Sequence, residues 1–218
     1  MSQTELHKEI IQLKNAVLDM GRLALSMLEN AIKSLNTLDI ELAKEVLHIK
    51  HRIRDYDNKI EEKALKLIAL YQPMAIDLRR LACILKMITY LTRIGRYGKD
   101  IAQVIKRDFD KKENLLKLVN LQHIYEHVRD MINDALKSFD KSDISLIKDF
   151  EERDNEVDQL RWAIFRECIT YMMENPKYIT TCAHYIMFAR YLERCGDHAC
   201  KMAEKIQYMV TGKHVEIS

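Results

Sequence analysis

The sequence predicts an all-α protein: two tandem antiparallel three-helix bundles related by internal duplication, six long helices in total. Three observations lead there. Only two prolines and five glycines punctuate the 218 residues, while good helix formers such as Leu, Lys, Glu, Ala and Met dominate. Apolar residues recur with a helical period over long stretches. Finally, at an offset of about 104 residues, Met27, Ala31, Asp39 and Ile60 return as Met131, Ala135, Asp143 and Ile164. The expected halves are residues 1–110 and 111–218, each small enough to need close contact with the other.

The elements follow in order. Leu6, Ile10, Leu13, Val17, Met20, Ala24 and Leu28 set the apolar stripe of a first helix that should stop near Asn36-Thr37. A second is expected from about Asp39 to Tyr71-Gln72, with Leu42, Val46, Ile49, Ile53, Ile60, Ala64 and Leu67 facing inward. Pro73 marks the break, because its ring fits the first turn of a helix but clashes inside one. The third helix should run from about Met74 to Arg107, and the solvated stretch Asp108–Asn114 should separate the halves. Three more helices are expected on the same plan, at about Leu115–Phe139, Asp143–Met173 and Pro176–Thr211. Asn175 and Pro176 supply an N-cap oxygen and a first-turn proline for the last. Long helices with short connections pack as antiparallel neighbours.

Composition narrows the function. Five cysteines, none in a C-x-x-C pair, make neither an even disulfide framework nor a zinc finger. The N-terminus is polar, and no run approaches the roughly 20 apolar residues of a membrane span, so direct membrane insertion is not expected and the cytoplasm is the expected location. A net charge of +2 does not point to nucleic acid. No glycine-rich phosphate loop, nucleophile elbow or triad stands out. A single Glu-x-x-His triplet, Glu45 to His48, falls short of the two that a di-iron bundle uses.

The informative difference lies between the copies. Near the end of the second, Tyr191-Leu192-Glu193-Arg194-Cys195-Gly196-Asp197 matches Tyr90-Leu91-Thr92-Arg93-Ile94-Gly95-Arg96 of the first, and the frame is kept while the carboxylates are not. Residues four apart share a helix face, so Glu193 with Asp197 and Asp154 with Asp158 form two carboxylate pairs. Adjacent helices would bring all four together, where like charges repel and a cation would relieve them. Oxygen donors suit Mg²⁺, Mn²⁺, Ca²⁺ or iron. Glu151 and Cys200 are weaker candidates on nearly the same faces, and His198 points elsewhere. The alternative is a solvated acidic face paired with Arg161, Arg190 and Arg194. In the first copy, Lys50 and Arg54 stand at the places of Asp154 and Asp158, and Arg96 at that of Asp197. Such a set could hold an anion, phosphate among them, or could form ordinary salt bridges with Asp55, Asp57 or Asp100.

The phrase Ala189-Arg190-Tyr191-Leu192-Glu193-Arg194-Cys195-Gly196-Asp197-His198-Ala199, followed by Met202-Ala203-Glu204 and Met209-Val210-Thr211-Gly212, resembles the second-repeat signature of the PhoU family. Leu70-Tyr71-Gln72-Pro73 through Asp77-Leu78-Arg79, then Arg93-Ile94-Gly95, resembles its first repeat, and the likeness spans about residues 5–213. The resemblance implies duplicated three-helix bundles that form homodimers or higher oligomers and negatively regulate phosphate uptake and phosphate-starvation signalling. Implied partners are the ATPase of a phosphate ABC transporter and a phosphate-sensing histidine kinase. Implied too are divalent or multinuclear metal ions, iron among them, on acidic D/E-x-x-x-D motifs, one site per repeat. Position by position, the motif matches Asp154 with Asp158 and Glu193 with Asp197, and it fails at Lys50, Arg54, Thr92 and Arg96. Asp100 and Lys201 also stand where the family commonly has asparagine. The other functions to weigh are an adaptor of a secondary phosphate transporter and, in a different class, a carboxylate-bridged metalloenzyme or metal-storage bundle.

Overall fold

The computed structural model describes residues 3–109 and 119–217. Among these lie six α-helices and no strand: α1 (Gln3–Thr37), α2 (Ile40–Tyr71), α3 (Ala75–Asp108), α4 (Val119–Lys141), α5 (Phe150–Glu174) and α6 (Ile179–Thr211). The expected linker from Asp110 and the expected helix start at Leu115 lie outside the described residues.

The periodic apolar rows bury, except that Leu42 and Ile49 of the expected α2 row stay half-exposed and Ala43 packs inward in the first turn. Val17, Met20, Ala24 and Leu28 of α1 and Leu91, Ile94 and Ile101 of α3 are sealed from solvent, as are Leu192, Ala199, Met202 and Ile206 of α6. Each large aliphatic side chain so buried stabilises the fold by about 1.5–3 kcal/mol. Helices α1, α2 and α3 pack on one another, α4, α5 and α6 do the same, and the two bundles meet through α3 against α6 and α1 against α4. Helices α2 and α5 therefore flank the molecule.

Two glycines set the close approaches on α1. A Cβ at Gly98 of α3 would stand 2.9 Å from the backbone nitrogen of Leu28, and one at Gly21 of α1 would stand 2.6 Å from the Leu136 side chain of α4. Side-chain-free positions let these helices cross at short range.

The duplication extends to the turns. Leu38 and Ser142 both adopt the left-handed conformation, and the N–H groups of Asp39 and Asp143 donate back to the carbonyls of Ser34 and Ser138, each at 3.1 Å. This is the Schellman closure of a helix C-terminus. After it the copies part. The Asp39 carboxylate accepts from the Leu42 N–H at 3.0 Å and caps α2 directly. The Asp143 carboxylate instead accepts from both the N–H and the hydroxyl of Ser145, each at 2.9 Å. That local bonding competes with helix continuation. The fifth helix accordingly starts at Phe150, after a 3₁₀ turn at Ser145–Ile147, and not at Asp143. The sixth likewise follows a 3₁₀ turn at Pro176–Tyr178, which Asn175 caps by accepting from the Lys177 N–H at 3.0 Å. Pro73 stays outside α3, which opens at Ala75.

Candidate functional site

The acidic positions fall on the facing sides of α5 and α6. A Cβ added at Gly196 would sit 3.6 Å from Asp154 Oδ1 and 3.5 Å from Val157, both ordinary contacts, so α6 faces the Asp154 carboxylate here with room for a methyl group. Burial above all, then the charges of Asp197 and Asp158, raise the Asp154 carboxyl above its ordinary pKa. For Glu193 the order is burial first, then Asp197, with Asp158 adding to it and Arg190 and Arg194 opposing. The four predicted carboxylates thus act on one another across the two helices.

Arginines hold this nest. Arg190 pairs with Glu193, Arg194 contacts Asp197 at 3.1 Å, and Arg161 approaches Asp158 at 3.7 Å. Glu193 is 7% exposed, and its Oε2 is buried with no hydrogen-bond partner while Arg194 Nε stands 4.0 Å away, an arrangement that costs free energy. Among the described residues no three of His, Cys, Asp and Glu are placed as a ready coordination shell. The donor chemistry fits a hard or borderline cation, and the arginine pairs would have to open for all four carboxylates to turn onto it. Of the weaker candidates, Cys200 is buried beside Asp154, whereas Glu151 is exposed in the first turn of α5.

The equivalent place in the first bundle is a pocket of about 320 Å³ between α2 and α3, lined by Met27, Lys50, Ile53, Arg54, Thr92, Gly95, Arg96 and Lys99. Gly95 stands where Gly196 does, and a Cβ there would meet Ile53, the counterpart of Val157, at 3.1 Å. All three predicted basic residues line it. Lys99 was not foreseen; the repeat frame places it opposite Cys200, and following that frame three residues past Arg96 would have found it.

His198 points away from the carboxylates, as expected. Its ring stacks with Tyr90 at 5.8 Å and Tyr97 at 6.0 Å, and Tyr97 stacks with Tyr191 at 5.3 Å, across the contact of α3 with α6. Burial, followed by the charges of Arg93 and Arg194, pushes its pKa down to about 4. Its members recur seven residues apart on each helix, Tyr90 with Tyr97 and Tyr191 with His198, but only the packing of α3 on α6 shows that they meet.

The PhoU domain model matches residues 17–105 and 121–206. The chain belongs to the PhoU family. It is 33% identical over 205 residues to a phosphate-specific transport system accessory protein PhoU homolog of Rhizobium meliloti (strain 1021), covering 94% of this chain and 86% of that one. It is 35% identical over 210 residues to the homolog of the same description from Caulobacter vibrioides (strain NA1000 / CB15N), covering 95% and 90%. The crystal structure of PhoU from Pseudomonas aeruginosa superposes with a TM-score of 0.90 at 32% identity, over 95% of this PhoU-family chain and 99% of that one. Among the described residues no helix is long and apolar enough to cross a membrane.

Proposed function

We propose that this PhoU-family protein restrains phosphate uptake and phosphate-starvation signalling by protein contact in the cytoplasm, without catalysing a reaction. The observation that carries this is the two-fold PhoU-domain match along a chain whose relatives are named accessory proteins of phosphate-specific transport. The proposed partners are the ATPase of a phosphate ABC transporter and, where the host has one, a phosphate-sensing histidine kinase, with the chain acting as a homodimer.

Helix α5 supports contact with another protein. Its inner face buries Phe150, Val157, Ile164 and Cys168, while Trp162, Phe165, Ile169 and Met173 are exposed, Met173 to 82%. Their spacing of three, four and four residues places them in one outward stripe. The Arg161 guanidinium lies 4.3 Å from the centre of the Trp162 ring and edges that stripe with charge. Apolar surface arranged this way marks a docking face.

The reading includes a metal held by Asp154, Asp158, Glu193 and Asp197. A bound cation supplies the positive charge that four mutually repelling carboxylates lack. The residues do the rest: the two pairs project from facing helices, and Gly196 leaves room for them.

The test is capture of the transport ATPase by purified protein, compared with Trp162→Ala/Phe165→Ala, alongside light scattering. Lost capture at unchanged mass assigns the stripe to the ATPase, and a halved mass assigns it to the homodimer. Failure of the wild type to bind the ATPase or to restrain phosphate uptake in a deletion strain overturns the regulatory role. Elemental analysis addresses the metal: wild type should retain an ion that Asp158→Asn/Asp197→Asn loses, and equal content in both refutes that part.

A further inference from the structure

The two equivalent sites carry opposite charge almost position for position. In the second bundle Asp154, Asp158 and Asp197 are flanked by Arg161 and Lys201; in the first, the same frame sets Lys50, Arg54 and Arg96, flanked by Asp57 and Asp100. Thr92 replaces Glu193, and Lys99 replaces Cys200. Loss of a cation site alone requires only that carboxylates disappear. Here they are replaced by cations around a recess that keeps its glycine and its apolar floor, Gly95 and Ile53.

Only one of these cations is closely paired. Asp100 takes up Lys99 at 2.8 Å and is loosely approached by Arg96 at 3.7 Å, and Arg96 remains 74% exposed. Lys50 and Arg54 have no ion pair among the described residues, although Asp55 and Asp57 lie on the same helix. The Thr92 hydroxyl, in the same pocket, is buried and faces the Asp57 carboxylate. The lining therefore offers the guanidinium forks of Arg54 and Arg96 and the ammonium group of Lys50, with the Lys99 ammonium held at its edge by Asp100.

Lys50 also lines a second, wider recess of about 810 Å³, together with Lys44, Leu47, His48, His51, Gln103, Lys106 and Arg107. The two recesses thus form one groove between α2 and α3. From Arg96 to Lys106 it follows ten residues of α3, about 15 Å at the helical rise.

We propose that the groove between α2 and α3 is an anion site for phosphoryl groups, with Arg54, Arg96, Lys50 and Lys99 as its binding residues. Guanidinium forks match the oxygen geometry of a tetrahedral phosphoryl group and bind it by paired charge-assisted hydrogen bonds. The positive groups line a recess with Asp100 at its edge, a scale that suits a small oxyanion better than a broad acidic protein surface. A single phosphate fills the first recess, and a condensed phosphate reaches along the groove past Lys50. The inference rests on the charge and shape of this groove and stands independently of the regulatory role proposed above.

The test is calorimetric titration of the full chain with orthophosphate and, separately, with tripolyphosphate, at fixed ionic strength. Arg54→Ala/Arg96→Ala should weaken binding by about tenfold or more, as expected for loss of charge-assisted bonds. Lys33→Ala/Lys86→Ala removes the same charge from exposed helix surface and should leave binding within about twofold, since exposed charges act weakly at a distance. Saturable binding of both probes assigns the site to free phosphate, and binding of tripolyphosphate alone assigns it to a phosphoryl chain. Circular dichroism checks the fold of each variant, and Lys99→Ala serves as a milder second probe that should also weaken binding. The inference is overturned if neither probe gives saturable heat, if the two double variants lose affinity equally, or if Lys99→Ala and Arg54→Ala/Arg96→Ala both bind like wild type.

Discussion

Replacing Gly98 by Ala should destabilise the protein, while the same change at Gly196 should stabilise it. At Gly98 the new methyl would stand 2.9 Å from Leu28 N and Met27 C, both backbone atoms of α1, and ordinary contact begins at 3.4 Å. No rotamer relieves such a clash, so α1 and α3 must part by about 0.5 Å, against the interlocked rows that each buries in the core. Overpacking of this kind costs about 1–3 kcal/mol, and alanine returns about 1 kcal/mol of helix propensity. With backbone on the far side of the contact the upper end applies, for a net loss of about 2 kcal/mol. At Gly196 the nearest atoms are at 3.5 and 3.6 Å, which is ordinary contact. There the propensity gain of up to about 1 kcal/mol survives, reduced by whatever further water the methyl removes from Asp154. Urea unfolding followed by circular dichroism reads both from the midpoints. A Gly98→Ala protein as stable as wild type, or two variants that shift in the same direction, would refute the packing argument.

Two further outcomes follow from buried ionisable groups. The Asp154 carboxyl has its pKa raised by burial and by Asp197, so the folded state holds its proton more tightly than the unfolded chain does. Stability is therefore lost as pH rises above the ordinary carboxylate range, and the loss persists at pH 7. In metal-free protein, Asp154→Asn should raise the pH 7 unfolding midpoint by the equivalent of a few tenths of a kcal/mol, and the advantage should shrink toward pH 4; a lower midpoint at pH 7 would contradict this. His198 has the opposite sense. Its folded pKa of about 4 lies below its ordinary 6.5, so its contribution is complete above 6.5 and is lost as pH falls from there toward 4. His198→Phe keeps a ring in the stack and should flatten the acid side of the stability profile, and a wild-type imidazole that titrates near 6.5 by NMR would disprove it.

Much of the architecture is legible because its signals are local. The 3.6-residue rows from Leu6 to Leu28 and from Leu42 to Leu67 show helix and inward face without knowledge of any neighbour. The repeat frame pairs Asp39 with Asp143, and both close the same turn. The frame misleads immediately afterwards, since Ser145 offers Asp143 two hydrogen bonds that Glu41 does not offer Asp39, and α5 begins later than α2 would suggest. At the site, four-residue spacing reveals each carboxylate pair, and the arginines named as the alternative partners, Arg161, Arg190 and Arg194, are the ones that approach them. Lys99 hides because its counterpart is a cysteine. Gly98 gives no hint in sequence of its closeness to α1, a property that belongs to two helices at once.

Arg96 and Asp197 are each followed by a ring, Tyr97 and His198, and those two rings touch across the boundary between the halves. Each charged pocket is therefore one peptide unit from a shared keel that has little room to yield, because planar groups slide far more readily than they compress. A tilt of α3 or α6 at one of these places would therefore bear on the rings beside the other.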